Sequence, residues 1–402
     1  MTTPAVPQTP HPLAPRDLNL LRVIESIYRH PASSRADIAR RTGLSRATVS
    51  TVVEELDAVD LIHERDAADD GRQRGTGRPP TLLSLVPRAA FAVGIDIGHQ
   101  HVRITICDLA GDPIADDWSR AQVDDAPEQT LDLARDLVRQ AMRTAGVTSE
   151  QVLGVGMGLA APVNTRTGDV ESDGILPGWQ GISPAAEMRR RLGLPIQLAN
   201  DANVGALGEK VFGAGRGVDD MTYIRLSAGV GAGLIVGGQP YQGSLGMAGE
   251  IGHVCVDPRG QICRCGNRGC LETVASPVAV ARLLEHSTGR PTTFAQLLDL
   301  VNSGDRGARR AVADAGEAIG MTVSWVVNVL NPQLVVVGGE LAAAGDVLLD
   351  PIRAGINRHS LAVAATGVRV TGGVLGDRAE VLGAAALVLA RSPLALTERV
   401  RA

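Results

Sequence analysis

The sequence predicts an α/β protein in which a small helical unit precedes a larger layered domain. Three observations predict it. Residues 16–86 carry short amphipathic helical stretches punctuated by Pro31 and Gly43. From Phe91 the composition shifts to glycine, alanine and β-branched residues, in strand-like runs that alternate with amphipathic helix. The third is the stretch EIGHVCVDPRGQICRCGNRGCLE, from Glu250 to Glu272, which holds four of the chain's five cysteines. At 402 residues the chain is too long for one ordinary core, and two or three domains are expected.

Composition narrows the function classes. The chain has 39 basic and 44 acidic side chains, a net charge of −5, and Lys210 is its only lysine. That balance excludes wholesale coating of nucleic acid but leaves room for a local arginine patch. No stretch reaches the roughly 18 consecutive apolar residues of a membrane span, and the N-terminus lacks an apolar signal core. Residues 1–15, with five prolines and no charge pattern, read as a disordered leader. The expected location is the cytoplasm.

Within residues 16–86, Leu18, Leu21, Val23, Ile24 and Ile27 mark a first helix that stops at His30-Pro31. Ala36, Ile38 and Ala39 mark a short second helix closed by Gly43. Ser45 then suits an N-cap, because its hydroxyl accepts the free backbone N–H groups of a helix start. The helix it opens, RATVSTVVEELDAVDLI, would bury Val49, Val52, Val53 and Leu56 and expose Arg46, Thr48, Ser50 and Thr51. Leu61–Glu64 and Thr81–Leu85 read as strands around a loop rich in glycine and arginine. This is the order of a winged helix-turn-helix, which lays its second helix in the major groove of DNA. A protein-interaction module is the competing reading.

Residues 16–80 hold eleven arginines and eleven acids, so net charge does not decide between them. Distribution favours DNA. Arg35, Arg40, Arg41 and Arg46 surround the turn, and Arg72, Arg74 and Arg78 sit in the wing, while most acids fall between Glu54 and Asp70. Gly77-Arg78-Pro79 presents an arginine suited to a narrow minor groove. Operator DNA is the expected partner, read by a homodimer or homotetramer, because one winged helix contacts too few bases alone.

Further on, FAVGIDIG and HVRITICDL read as two strands, with Gly111-Asp112 turning into a third. Residues 127–145 follow as an amphipathic helix and QVLGVGMGLA as a buried strand. Pro195–Ala199 is another strand; it ends on Asn200-Asp201-Ala202-Asn203, which opens a helix and sets the Asp201 carboxylate at a cleft floor. Helix capping is the competing role for Asn200 and Asp201. A long helix is expected near Val312–Leu330.

In the cysteine-bearing stretch, thiolates and a histidine packed into a glycine-rich loop can surround one zinc ion tetrahedrally. Cys263, Cys265 and Cys270 form one cluster, and spacing leaves either His253 or Cys255 to complete it. A pair of disulfides, or inert buried thiols, is the competing reading, disfavoured where no secretory signal is present. Read whole, Gly252-His253, Gly260 and Cys263-x-Cys265-Gly266-x-x-Gly269-Cys270-x-Glu272 resemble the signature of the ROK family, which groups bacterial sugar kinases with sugar-responsive repressors. The resemblance runs from Phe91 to the end of the chain.

The resemblance implies an actin-like (ribonuclease-H-type) fold of two lobes with the ligand cleft between them. The first lobe would span about 90–210 and be completed by the C-terminal helix; the second would span about 211–380 and carry the metal loop. It implies that His253, Cys263, Cys265 and Cys270 hold the zinc, and that Asn200, Asp201, Glu250, His253 and Glu272 contact a sugar. One imidazole can serve both, with the metal on one nitrogen and a hydroxyl on the other. Cys255 is then expected to be a small core residue.

The resemblance also sets regulator against kinase. In kinases of the family the first phosphate turn reads Asp-x-Gly-Gly-Thr, and the aspartate at the Asp201 position takes the proton from the sugar hydroxyl. Here the turn reads Asp96-Ile97-Gly98-His99-Gln100, and the second turn, Leu226–Gly233, lacks its opening Gly-Thr. A phosphate cradle needs backbone N–H groups laid open by residues without side chains, so ATP chemistry is expected to be lost. Val335–Gly339 matches the turn that faces adenosine, although ending a strand requires it too. Leu176-Pro177-Gly178-Trp179 matches a segment beside the sugar, with Ile175 where asparagine is frequent. The winged helix also resembles the one that precedes this domain in the family's repressors. The expected function is a DNA-binding repressor of carbohydrate genes that senses a sugar or sugar derivative; the alternative is a sugar kinase with an accessory DNA-binding domain.

Overall fold

The computed structural model of the chain describes residues 14–66, 81–170 and 174–401. They fall into two compact units. One unites the described residues up to Ala90 with 108–110 and the segment from Ala390; the other holds 91–107 and 111–389. Among the described residues no single helix is long and apolar enough to cross a membrane. Residues 1–13 of the expected leader, and the wing arginines Arg72, Arg74 and Arg78, lie outside the described residues.

In the first unit α1 (Pro15–Arg29), α2 (Arg35–Thr42) and α3 (Arg46–Asp57) enclose a small core. Strands β1 (Ser33–Ser34), β2 (Ile62–Asp66) and β3 (Thr81–Leu85) form a sheet in the order β1-β3-β2. Leu20, Val23, Ile24 and Ile27 of α1 meet Ile38 of α2 and Val49, Val52, Val53 and Leu56 of α3 in that core. Burying each of them contributes roughly 1.5–3 kcal/mol. Leu18, expected on this face, is exposed, because the buried stripe of α1 runs through Leu20 at the i, i+3, i+4, i+7 spacing. Gly43 ends α2 in the left-handed conformation (φ +72°) that favours glycine. Helix α3 is shorter than its apolar pattern predicted. It stops at Asp57, and Asp60 (φ +54°) turns the chain so that Leu61 and Ile62 are buried beyond the helix, at the start of β2.

The second unit contains two five-stranded sheets. In the first, β4 (Phe91–Ile97), β5 (His101–Asp108), β6 (Pro113–Arg120), β7 (Val152–Leu159) and β8 (Ile196–Asn200) lie in the order β6-β5-β4-β7-β8. Strands β4, β7 and β8 are parallel, and β4 is buried along its whole length, Asp96 included, as a central strand covered on both faces is. Helices α4 (Pro127–Ala145), α5 (Pro184–Leu192) and α6 (Asp201–Phe212) accompany this sheet. In the second, β9 (Met221–Leu226), β10 (Val230–Val236), β11 (Gln239–Tyr241), β12 (Leu334–Gly338) and β13 (Arg369–Gly372) lie in the order β11-β10-β9-β12-β13. Between them run α7 (Glu272–Ala275), α8 (Pro277–Thr288), α9 (Phe294–Asn302), α10 (Arg306–Leu330), α11 (Asp346–His359) and α12 (Ala362–Gly367). Helix α10 begins before Val312 because Asp305 caps it, its carboxylate accepting from Ala308 N at 2.8 Å.

Register positions the site. Asp96 of β4 pairs with Gly158 of β7, and Leu159 pairs with Asn200 of β8, so three C-terminal strand ends share one edge. Ligands of open α/β sheets bind at such edges. The C-terminal region, expected to complete the first lobe, is divided instead. Helix α13 (Ala379–Leu389) packs on β4, β7 and α6, but α14 (Ser392–Arg401) packs on α1 in the other unit. Leu396 and Thr397 are fully buried there, and Arg401 Nε lies 3.2 Å from Asp17 Oδ1. The short connection Ala390-Arg391 separates the two helices.

Candidate functional site

The N-terminus of α6 forms one wall of a cleft in the second unit. Asn200 caps this helix, its Oδ1 accepting from Ala202 N (2.9 Å) and Asn203 N (3.3 Å), while its Nδ2 donates to Ala161 O (3.2 Å). Capping and lining the cleft are thus two duties of one residue. Asp201 is buried, with Oδ1 2.7 Å from Ala202 N and Oδ2 2.9 Å from Arg225 Nη1. Glu250, His253 and Glu272 line the same cleft, so the structure brings together all five residues the sequence singled out for a sugar. Glu272 accepts from Val230 N (3.1 Å) and from Arg264 Nε (2.9 Å). Burial, helped by the charges of Asp201 and Glu272, pushes the Glu250 carboxyl up to about 7. Carboxylates, an imidazole and guanidinium groups around one small polar cleft suit a polyol, whose hydroxyls both donate and accept.

Beside the cleft, His253, Cys263, Cys265 and Cys270 bring one donor atom each to within 4.8 Å of one another. His253 Nδ1 lies 3.6 Å from Cys263 Sγ, and Cys265 Sγ lies 3.7 Å from Cys270 Sγ. Those are the edges of a tetrahedron with metal–sulfur bonds of about 2.3 Å. Cys255 stays outside the group; its backbone bridges to Cys270 but the residue is exposed, which corrects the expectation of a core thiol. All five cysteines are free, so the disulfide reading falls. His253 Nε2 lies 4.0 Å from the Glu250 carboxylate, so one ring nitrogen serves the cluster and the other the cleft. Burial pushes the Cys263 and Cys270 thiols up and pulls His253 down. At Cys265 burial acts the same way, but hydrogen bonds from Asn267 and the neighbouring thiols bring the thiol below its ordinary value; a metal ion binding here would displace the remaining thiol protons.

The first glycine turn is filled. His101 Nε2 lies 2.9 Å from Asp96 Oδ2, and its ring covers Gly98 so closely that a Cβ there would meet it at 2.3 Å. His99, which the sequence marked as the obstruction, turns instead to Asp124 (Nδ1 to Oδ1, 2.7 Å) and lines the cleft. At the second turn a Cβ on Gly229 would meet Glu272 Oε2 at 2.4 Å. At the third, a Cβ on Gly338 would meet the Tyr223 hydroxyl at 2.2 Å. Side chains packed against these glycines account for them without a phosphate. Trp179 is a core residue, its Nε1 donating to Val123 O at 2.8 Å, and in the stretch from Ile175 to Trp179 it is Ile175 that lines the cleft.

In the first unit Ser45 caps α3, accepting from Thr48 N at 3.0 Å. Arg46 and Thr51 are exposed, while Thr48 and Ser50 are half-buried and Thr48 Oγ1 lies 2.8 Å from Ser45 Oγ. The other arginines around the turn are engaged: Arg35 with Glu64, Arg40 with Asp37, and Arg41 with the hydroxyls of Ser26 and Ser33. Arg46 has no such partner among the described residues.

Sequence reasoning missed Arg225 and Glu380. Arg225 Nε lies 3.0 Å from Glu380 Oε1, which also accepts from Tyr223 Oη at 3.0 Å. Burial pulls the Arg225 pKa down, but Asp201, Glu380 and Asp96 together carry it above its ordinary value. The guanidinium stays charged. Its signal in the sequence was an arginine inside MTYIRL, a strand buried at every position. A buried charge demands partners, but the sequence does not say from which helices they come.

Residues 92–391 match the ROK family, and residues 20–73 match the MarR family. The xylose repressor of Caldicellulosiruptor bescii is 29% identical over 387 residues, 93% of this chain and 96% of that protein. A glucokinase of Halalkalibacterium halodurans is 32% identical over 313 residues, 74% of this chain and 94% of its own. Among solved structures, a ROK family transcriptional regulator, a homolog of the E. coli MLC protein, has a TM-score of 0.80 at 27% identity. It covers 96% of this chain and 99% of its own.

Proposed function

The chain belongs to the ROK family, and from that premise we propose that it is a DNA-binding transcriptional repressor of carbohydrate genes whose ROK domain senses a sugar or sugar derivative. The observation that carries the reading is one chain joining a winged helix to a sugar-type cleft in which the base-position aspartate is tied to an arginine. The repressor relative also spans nearly the whole chain, the glucokinase only its ROK part. Mapping the genomic fragments the protein binds in cells tests this. Sites beside sugar-transport and catabolic genes are expected; sites without such neighbours argue against it.

Within this reading, Asn200, Asp201, Glu250, His253 and Glu272 hold the sugar, and zinc is the ion of His253, Cys263, Cys265 and Cys270. Three thiolates and one imidazole suit zinc, whose part here is to close the loop that presents Glu250 and Glu272. Both Asp201 oxygens already accept hydrogen bonds, from Ala202 N and Arg225 Nη1. Each oxygen keeps a lone pair for a sugar hydroxyl, and because the filled glycine turn holds no phosphoryl donor in line with that hydroxyl, Asp201 serves as an acceptor and not as a working base. No sugar-dependent ATP turnover is expected in a coupled assay; turnover that disappears in Asp201→Ala would restore the kinase.

On the DNA side, Arg46 reaches base edges and Thr48, Ser50 and Thr51 accompany it, with Arg72, Arg74 and Arg78 assigned to the wing. Arg46→Ala is expected to cost roughly 1–3 kcal/mol, a 5- to 150-fold weakening read by fluorescence anisotropy. Unchanged affinity would move the reading face elsewhere on α3. Two copies are expected per operator. Support comes from exposed apolar side chains at Trp325 and Val329 of α10 and at Leu361 and Val363, which begin α12. Trp325→Glu should shift the sedimentation coefficient to that of a monomer if this face joins two copies; an unchanged dimer places the interface elsewhere.

A further inference from the structure

Arg225 is gripped by carboxylates from two helices: Asp201 opens α6, and Glu380 lies in the first turn of α13. All three side chains belong to residues more than nine-tenths buried, and Tyr223, fully buried, also bonds Glu380. The two helices meet backbone to backbone. A Cβ on Gly208 would strike Ala379 O at 2.2 Å, and one on Gly383 would strike Val204 O at 1.6 Å. Helices this close move together, because no layer of side chains lies between them to absorb a shift. After Ala390 and Arg391 the chain enters α14, whose Leu396 is buried and which packs on α1. Arg399 Nη1 also donates to Ala89 O at 3.2 Å, and Arg401 meets Asp17.

We propose that Arg225 and Glu380 are positioning residues of the effector site, holding the Asp201 carboxylate for a sugar hydroxyl and passing its occupancy to α13 and, through α14, to the winged-helix unit. This rests on the reading of the cleft as an effector site. Asp201 Oδ2 is shared: a hydroxyl that draws on it loosens the Arg225 contact, and Glu380 takes up the difference. The balance is delicate because one guanidinium faces two buried carboxylates, with Asp96 and His101 close by. Removing the cation leaves uncompensated buried charge, and α6 and α13 must then move apart or take up protons.

The test uses Arg225→Met, Arg225→Lys and the nearly isosteric Glu380→Gln in the full chain. Amide hydrogen exchange of the free protein needs neither sugar nor DNA. Arg225→Met and Glu380→Gln are expected to speed exchange about tenfold in α13, α14 and α1 as well as in α6, and Arg225→Lys, which keeps the cation, to restore it. Acceleration confined to β9 and α6, or equal for Lys and Met, overturns the proposal. If Arg225→Met does not fold, Glu380→Gln and Arg225→Lys carry the same comparison. A second arm measures affinity for a DNA fragment that the wild type selects from a random pool. About a fivefold or larger change in Glu380→Gln is expected, and affinity equal to wild type counts against the proposal. A wild type that selects no DNA sinks the regulator reading, while the exchange arm still decides on the clasp.

Discussion

Cys265→Ser should release the metal and abolish sugar binding in one step. The loop from Glu250 to Glu272 has few apolar anchors; Ile251 and Leu271 are buried, but Ile262 is exposed. Its backbone bonds include Cys263 N to Asn267 O (2.7 Å), Gly266 N to Cys263 O (2.9 Å), Gly269 N to Gln261 O (2.8 Å) and Leu271 N to Val254 O (2.8 Å). A structural zinc in such a setting contributes on the order of 10–16 kcal/mol of binding free energy, far more than those bonds supply. The cluster and the cleft share residues. His253 faces both, and Arg264, held between two cluster cysteines, is the partner of Glu272. Losing one thiolate therefore frees His253, Arg264 and Glu272 together. Metal content by mass spectrometry and sugar binding by calorimetry should fall together, while Cys255→Ser keeps both. Full metal in Cys265→Ser, or loss of metal in Cys255→Ser, would show that the ligand set is wrong. The helical signal of the winged-helix unit should persist, because its core draws on no residue of this loop.

Much of the architecture was legible because local rules and tertiary burial agree there. Ser45 announces α3 and Gly43 ends α2, and the apolar stripe of α3 is the one that is buried. The run FAVGIDI at Phe91–Ile97, apolar but for Asp96, is a strand buried on both faces. The group of four residues that could hold a metal ion was legible for another reason: its donors fall within eighteen residues of chain, and short spacing limits the geometry. What stayed hidden depends on long-range contacts. Arg225 meets carboxylates 24 and 155 residues away in sequence, and nothing in MTYIRL names them. Likewise the C-terminal helix was expected to complete the first lobe, and only the burial of Leu396 and the packing of α14 on α1 assign α14 to the first unit. His101 over Gly98 was missed because the obstruction comes from the strand after the turn, not from the turn itself.

A sugar that binds the cleft should change operator affinity about 5- to 150-fold, the scale of a coupling free energy of roughly 1–3 kcal/mol. The expectation follows from where the contacts lie. Asn200 and Asp201 open α6 beside the first sheet, whereas Glu250, His253 and Glu272 follow β10 of the second. A ligand bridging the two sets binds most tightly where they are closest, so it favours a closed arrangement over an open one. The chain passes between this unit and the winged-helix unit after Ala90, on either side of 108–110, and before Ala390, and it is through such crossings that closure is expected to be felt. Linkage fixes the reverse effect: operator DNA must change sugar affinity by the same factor. D-xylose and D-glucose, a pentose and a hexose, are the first probes, titrated with and without operator at one salt concentration because phosphate contacts make affinity salt-dependent. Asp201→Asn keeps the size of the side chain but gives up the charge that pairs with Arg225, and should weaken both the sugar and its effect on DNA. A sugar that binds tightly in this cleft, with equal affinity in the presence and absence of operator, would end the sensor reading. The fold and the loop of His253 and the three cysteines would stand unchanged, and the cleft would then be a binding site without a switch.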